Sequence, residues 1–177
     1  MAIAYGDTQL FNLGLLLIRL IFGLVMAAHG AQKLFGWFGG YGLAGTGGFF
    51  ESLGFRPGRM FAAAASISEL VGGLLFALGL FGPVGPALIL AVMLVASISV
   101  HLRNGLFAAT NGVEVPLLFA TAVVGVALIG YGTYSLDSAL GLAALWTPAL
   151  IGLALAVGVI GGLANLLIRK TPTTPDV

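Results

Sequence analysis

The chain has 177 residues, of which 59% are hydrophobic and 7% charged, and its mean hydropathy is +1.11. A soluble domain carries roughly 25% charged residues, so seven Lys+Arg and six Asp+Glu are too few to solvate a globule of this size, and lipid is its natural solvent. No basic run offers a surface to nucleic acid. With no cysteine, disulfides, thiolate metal sites and dithiol relays are excluded, and a redox role would need a bound cofactor or a partner.

Five stretches approach the ~20 apolar residues of a spanning helix. The first covers 11–35. Arg19 lies inside it, which argues against the uncharged core of a cleavable leader, so this helix is expected to stay in the mature protein. The segment 36–58 follows, within the glycine- and aromatic-rich stretch HGAQKLFGWFGGYGLAGTGGFFESLGF at 29–55. Here Thr46 is expected to cap a short helix GGFFESLG that Gly54 terminates. Phe49, Phe50, Leu53 and Phe55 would form its apolar surface. Too short to span, it should lie in the interface or cover the mouth of the bundle as a lid.

The second and third spans, 59–81 and 83–102, are joined by the turn FGPVGP and should form an antiparallel hairpin. The fourth covers 115–131. Between it and the fifth, 146–168, Ser135 or Asp137 can cap a short interfacial helix flanked by Tyr131, Tyr134 and Trp146. Residues 1–170 thus read as one all-α polytopic membrane helix bundle, with a disordered tail at 171–177. When five helices alternate, Lys33, Arg56, Arg59, Arg103, Arg169 and Lys170 all fall on one side. The positive-inside rule makes that side cytoplasmic, with the N-terminus outside and the C-terminus inside. Small residues mark helix contacts: Ala65, Ser66, Glu69, Gly72 and Gly73 on the second helix, and Gly158, Gly162 and Asn165 on the fifth.

The residues that cost most to bury carry the functional question, since a charge at mid-membrane costs about 2.5–3.5 kcal/mol on insertion scales. Arg19 and Glu69 differ in depth by about four residues, roughly 6 Å, so they can pair. Such a pair would either lock two helices together or form a polar site for a ligand carbonyl or a proton. A second cluster is expected near the cytoplasmic end: His29, Gln32 and Lys33, then His101, Arg103 and Asn104, and Glu114 turned into the bundle beside Thr121 and Gly125. Lys33 and Arg103 can equally be snorkelling cations. Two His and one or two Glu suffice for a metal centre, but no EXXH or HEXXH spacing occurs, and no metal site is assigned.

RLIFGLVMAAHGAQKLFGWFGGYGLAGTGGFFESLGF followed by ISELVGGLLFALGL resembles the DoxX family of bacterial integral membrane proteins. The resemblance runs over Arg19, His29, Gly30, Lys33, Glu69 and His101, and over YSLD at 134–137. It implies a four-helix core in a bacterial inner membrane, beyond which the fifth C-terminal transmembrane helix is a departure. It also implies a link to redox complexes and oxidative stress, some relatives being similar to the membrane subunit of thiosulfate:quinone oxidoreductases. Three readings follow. In the first, a quinone or similar small apolar ligand sits in the bundle, with Arg19, His29, Lys33, Glu69, His101 and Glu114 as candidate binding residues under a lid of Phe49, Phe50 and Phe55. In the second, the protein is a membrane anchor or scaffold for soluble oxidoreductases, without a ligand. In the third it is a small transporter or channel, helped by homo-oligomerisation. No self-contained catalytic motif is present.

Overall fold

The computed structural model of the protein describes residues 8–170. Its long helices are α1 (Thr8–Phe35), α3 (Gly58–Leu78), α4 (Val84–Ala96), α5 (Glu114–Ile129) and α7 (Pro148–Leu167), with the shorter α2 (Gly42–Ser52) and α6 (Leu136–Ala139) in the connections. α4 continues through a π-helical turn, Ser97–His101, and a 3₁₀ turn, Leu102–Asn104. Among the described residues four helices are long and apolar enough to cross a membrane, namely Thr8–Phe35, Gly58–Leu78, Val84–Asn104 and Pro148–Leu167. α5 is apolar but has 16 residues, about 24 Å of helix. The all-α membrane bundle expected from composition is the fold observed. The tail at 171–177 lies outside the described residues.

α1, α3, α4 and α5 form a four-helix ring, each packed on the next. Its interior is filled by Leu15 and Met26 of α1, Phe76 of α3, Ile89 and Met93 of α4, and Phe119, Val123 and Val126 of α5. The outward residues, such as Leu17, Ile21 and Leu24 on α1, remain exposed to the hydrocarbon. With lipid as apolar as leucine, such helices associate by close contact of small residues. A methyl group on Gly23 would sit 2.6 Å from the Gly73 carbonyl oxygen, and one on Gly73 would sit 2.5 Å from the Ala27 nitrogen. The α1 and α3 backbones therefore touch, at Gly23 on α1 and at Gly73, one of the small residues expected to mark a contact on α3.

α7 packs against the outside of α4 and less extensively against α5. Its Gly158 and Gly162 are buried on α4, and a methyl group on Gly158 would lie 2.6 Å from the Ala87 carbonyl oxygen. The expected GxxxG stripe is thus the contact that seats the fifth helix. Thr147 caps α7, its hydroxyl accepting from the Leu150 N–H, with Pro148 in the first turn, where its missing N–H is harmless.

α2 lies across α3 and the end of α1. It starts at Gly42, earlier than the sequence suggests, so Thr46 is no cap. It is buried within the helix and donates to the Lys33 carbonyl over 3.3 Å. Gly54 ends the segment as anticipated, with φ +93° and the Phe55 N–H returning to the Phe50 carbonyl, the 6→1 closure of a helix terminus.

Candidate functional site

Polar groups gather at the two ends of the bundle, and the structure distributes the candidate residues between them. At the end where α3 turns into α4, Arg19 is 1% exposed. Its guanidinium donates to the carbonyls of Tyr131, Tyr134 (2.7 Å) and Ala77 (3.3 Å) and lies 5.4 Å from the Tyr131 ring centroid. The α3 terminus makes room for it: Gly79 has φ +63°, and a Cβ there would meet the Arg19 Cζ at 2.9 Å. The loop after α5 is held from other sides as well. The Asn12 side chain accepts from the Thr133 N–H at 2.8 Å. Tyr131 donates to the Gly82 carbonyl at 2.5 Å.

Asp137, 2% exposed, accepts from the Phe81 and Gly82 N–H groups at 2.8 and 2.7 Å and from the Trp146 indole at 2.8 Å. Of the two caps considered for α6, Ser135 is the one used. Arg19 therefore does not pair with Glu69. It reaches the Ala77 level of α3, eight residues from Glu69, or about 12 Å, and is consumed by loop carbonyls.

Glu69 instead pairs with Lys33. Gly30 brings α1 onto the backbone of Ser66 and Leu70, and Lys33 lies one turn further along. The pair is asymmetric: the Lys33 side chain is 32% exposed and that of Glu69 is 1% exposed. Among the described residues three buried side-chain atoms lack a hydrogen-bond partner: Arg19 Nε, Glu69 Oε2 and Ser99 Oγ.

Lys33 borders a cavity of about 380 Å³ at this end of the bundle, within the ~300–1,000 Å³ of small-molecule sites. The cavity runs between α3, α4 and α7 and is covered by α2. Its walls are mainly apolar: Ala64 and Ala65 of α3, Ala91, Val92 and Val95 of α4, and Gly162 of α7. Phe49, Phe50 and Phe55 all line it, with ring centroids 6.4 Å apart for Phe49–Phe50 and 5.7 Å for Phe50–Phe55. Its polar points are Lys33, Thr46, Ser68, Ser99, His101, Asn111 and Asn165. The expected lid residues thus come together with Lys33 and His101.

His29 and Glu114 do not reach this cavity. His29 turns towards α5, its ring edge-on to Phe119 at 6.2 Å. The Glu114 carboxylate accepts from the Ala108 N–H at 2.7 Å, folding the loop before α5. The expectation that it points into the bundle is therefore corrected: a free N–H one loop away claims it. Among the described residues no group of three His, Cys, Asp or Glu is placed to hold a metal ion.

Two features escaped the sequence. Ser99 is buried on the π-helical turn, a local widening that is common at functional sites and that departs from the regular helical spacing through this stretch. The other is a strap at the end of α7. The Arg169 Nε–H donates to the Leu53 carbonyl at 2.5 Å, its guanidinium lies 5.8 Å from the Phe55 ring centroid, and the Lys170 N–H donates to the Gly54 carbonyl at 2.9 Å. The fifth helix thereby walls the cavity and also ties down its cover.

No curated protein and no solved structure matches the chain. The family model described as DoxX matches residues 14–102, half of the chain, which runs from within α1 to the end of the π turn and hence takes in Arg19, Lys33, Glu69, Ser99, His101 and the whole of α2. The chain is a multi-pass integral membrane protein of the DoxX family.

Proposed function

We propose that this protein is the membrane subunit of a redox-associated complex and that it holds a quinone or a similar small apolar ligand in the cavity beneath α2. The observation that supports this reading best is the cavity itself. It has an aromatic cover, mainly aliphatic walls, and a few polar groups in its lining, among them Lys33, Ser99 and His101. A flat ring would lie against Phe50 and Phe55, with its oxygens among those polar groups and its tail directed to lipid. The chain carries no redox centre of its own in this reading, so electrons would pass between the ligand and a partner protein. The proposed setting is a bacterial inner membrane with the cavity on the cytoplasmic side. This rests on the cations at that end, of which Arg56, Arg59, Arg103 and Lys170 are exposed.

That exposed basic rim also favours a second reading, a scaffold that docks soluble oxidoreductases and binds no ligand. Mass spectrometry of an organic extract of the gently purified protein separates the two. A quinone or related lipid at near-stoichiometric amount, lost in Lys33→Met and Ser99→Leu proteins that still fold, is the expected result. An empty protein that co-purifies with soluble oxidoreductases would replace the ligand reading with the scaffold.

A further inference from the structure

Two of the polar residues that line the cavity, Ser99 and His101, differ in what they can offer a ligand. His101 Nδ1 lies 2.9 Å from the Asn111 carbonyl oxygen. A carbonyl only accepts, so Nδ1 carries the hydrogen, and in the neutral ring Nε2 presents a lone pair. The same carbonyl also accepts from the Asn104 side chain at 3.2 Å, and that side chain donates to the Val100 carbonyl at 3.0 Å. The loop carrying Asn111 is thus stitched to the turn carrying His101, and the tautomer is fixed by backbone. Two residues away, Ser99 is 4% exposed and its hydroxyl has no partner, although Ser99 and His101 both line the cavity. A buried hydroxyl left unpaired costs free energy that a ligand can recover.

From this we infer that the site prefers a ring bearing a hydroxyl, the hydroquinone form, over the corresponding quinone, with His101 Nε2 as the specificity-determining acceptor. The inference rests on the ligand reading above. A hydroquinone O–H donates to Nε2, whereas a quinone carbonyl would set its lone pairs against that nitrogen. The Ser99 hydroxyl can donate to either form, so it contributes affinity without choosing between them.

The test uses the full chain in lipid nanodiscs, with a decyl-substituted benzoquinone and its hydroquinone as probes, the latter kept reduced under anaerobic conditions. The hydroquinone should bind about tenfold more tightly, the scale of one neutral hydrogen bond made rather than opposed. His101→Asn retains a donor at the position of Nδ1 and removes the acceptor, so the ratio should fall towards one with the thermal transition unchanged. Ser99→Ala should weaken both forms and leave the ratio intact. This second variant keeps the inference testable if His101→Asn does not fold. Equal affinities, tighter quinone binding, or a ratio that vanishes in Ser99→Ala would overturn the inference while leaving the ligand reading in place. Binding of neither form would overturn both.

Discussion

The pairing of Glu69 with Lys33, and not with Arg19, can be measured as a coupling energy. Lys33→Met leaves the Glu69 carboxylate 1% exposed with no cation, and its Oε2 already lacks a partner. Removing one member of a fully buried pair costs about 3–5 kcal/mol. Lys33 is 32% exposed, so water screens part of that, and a loss of about 2–3 kcal/mol is expected. In a double-mutant cycle Lys33→Met and Glu69→Gln should then couple by about 1–2 kcal/mol. Arg19→Met should itself be costly, by about 3 kcal/mol, because charged donors to the Tyr131 and Tyr134 carbonyls are lost. It should nevertheless add to Glu69→Gln within about 0.5 kcal/mol, as separated sites do. Unfolding in mixed detergent micelles, followed by tryptophan fluorescence, reads all the variants. Strong coupling between Arg19 and Glu69 with none between Lys33 and Glu69 would refute the assignment.

Asp137→Ala should destabilise the protein by about 3 kcal/mol, since two backbone N–H groups and the Trp146 indole lose their acceptor. A shift in Trp146 emission should accompany it, and unchanged stability would contradict the role given to Asp137. Gly158→Leu forces a side chain into the Ala87 backbone and should cost about 1–3 kcal/mol, with loss of any ligand held against α7. A variant as stable as the parent would show that α7 does not seat there. Arg169→Ala should raise hydrogen exchange at Gly54 and Phe55 by about tenfold without unfolding the bundle, because the strap on Leu53 and Phe55 is released. Unchanged exchange would mean that the Arg169 side chain is not what holds the cover.

The bundle was legible because lipid imposes it. Apolar runs of spanning length have few alternatives once every backbone group must be satisfied internally. Small residues such as Gly73 and Gly158 signalled contact faces because close approach is what drives association in lipid. The aromatic cluster that lines the cavity was foreshadowed by Phe49, Phe50 and Phe55 between glycines. The pairing of charges was not, because depth along a helix leaves rotation and partner undetermined. Arg19 and Glu69 were expected to differ in depth by roughly 6 Å, yet Arg19 reaches the Ala77 level of α3, where loop carbonyls after α5 take it. Those carbonyls are set by long-range folding of residues 130–137 and leave no sequence signal. Glu114 went to the Ala108 N–H in the loop just before its own helix. Ser99 was hidden by the π turn, which shifts the helical register by one residue. Arg169 looked like an ordinary interfacial cation until α7 placed it over Phe55.

The central claim, that the cavity beneath α2 holds a small apolar ring, is tested most directly by photo-crosslinking with an azido-substituted short-tail quinone on the protein in nanodiscs, followed by peptide mapping. Adducts confined to residues 46–55 and 91–101, competed by unlabelled quinone and lost in Ser99→Leu, are the result the proposal predicts. Adducts scattered over the lipid-facing residues of α1 and α5, with no competition, would contradict it.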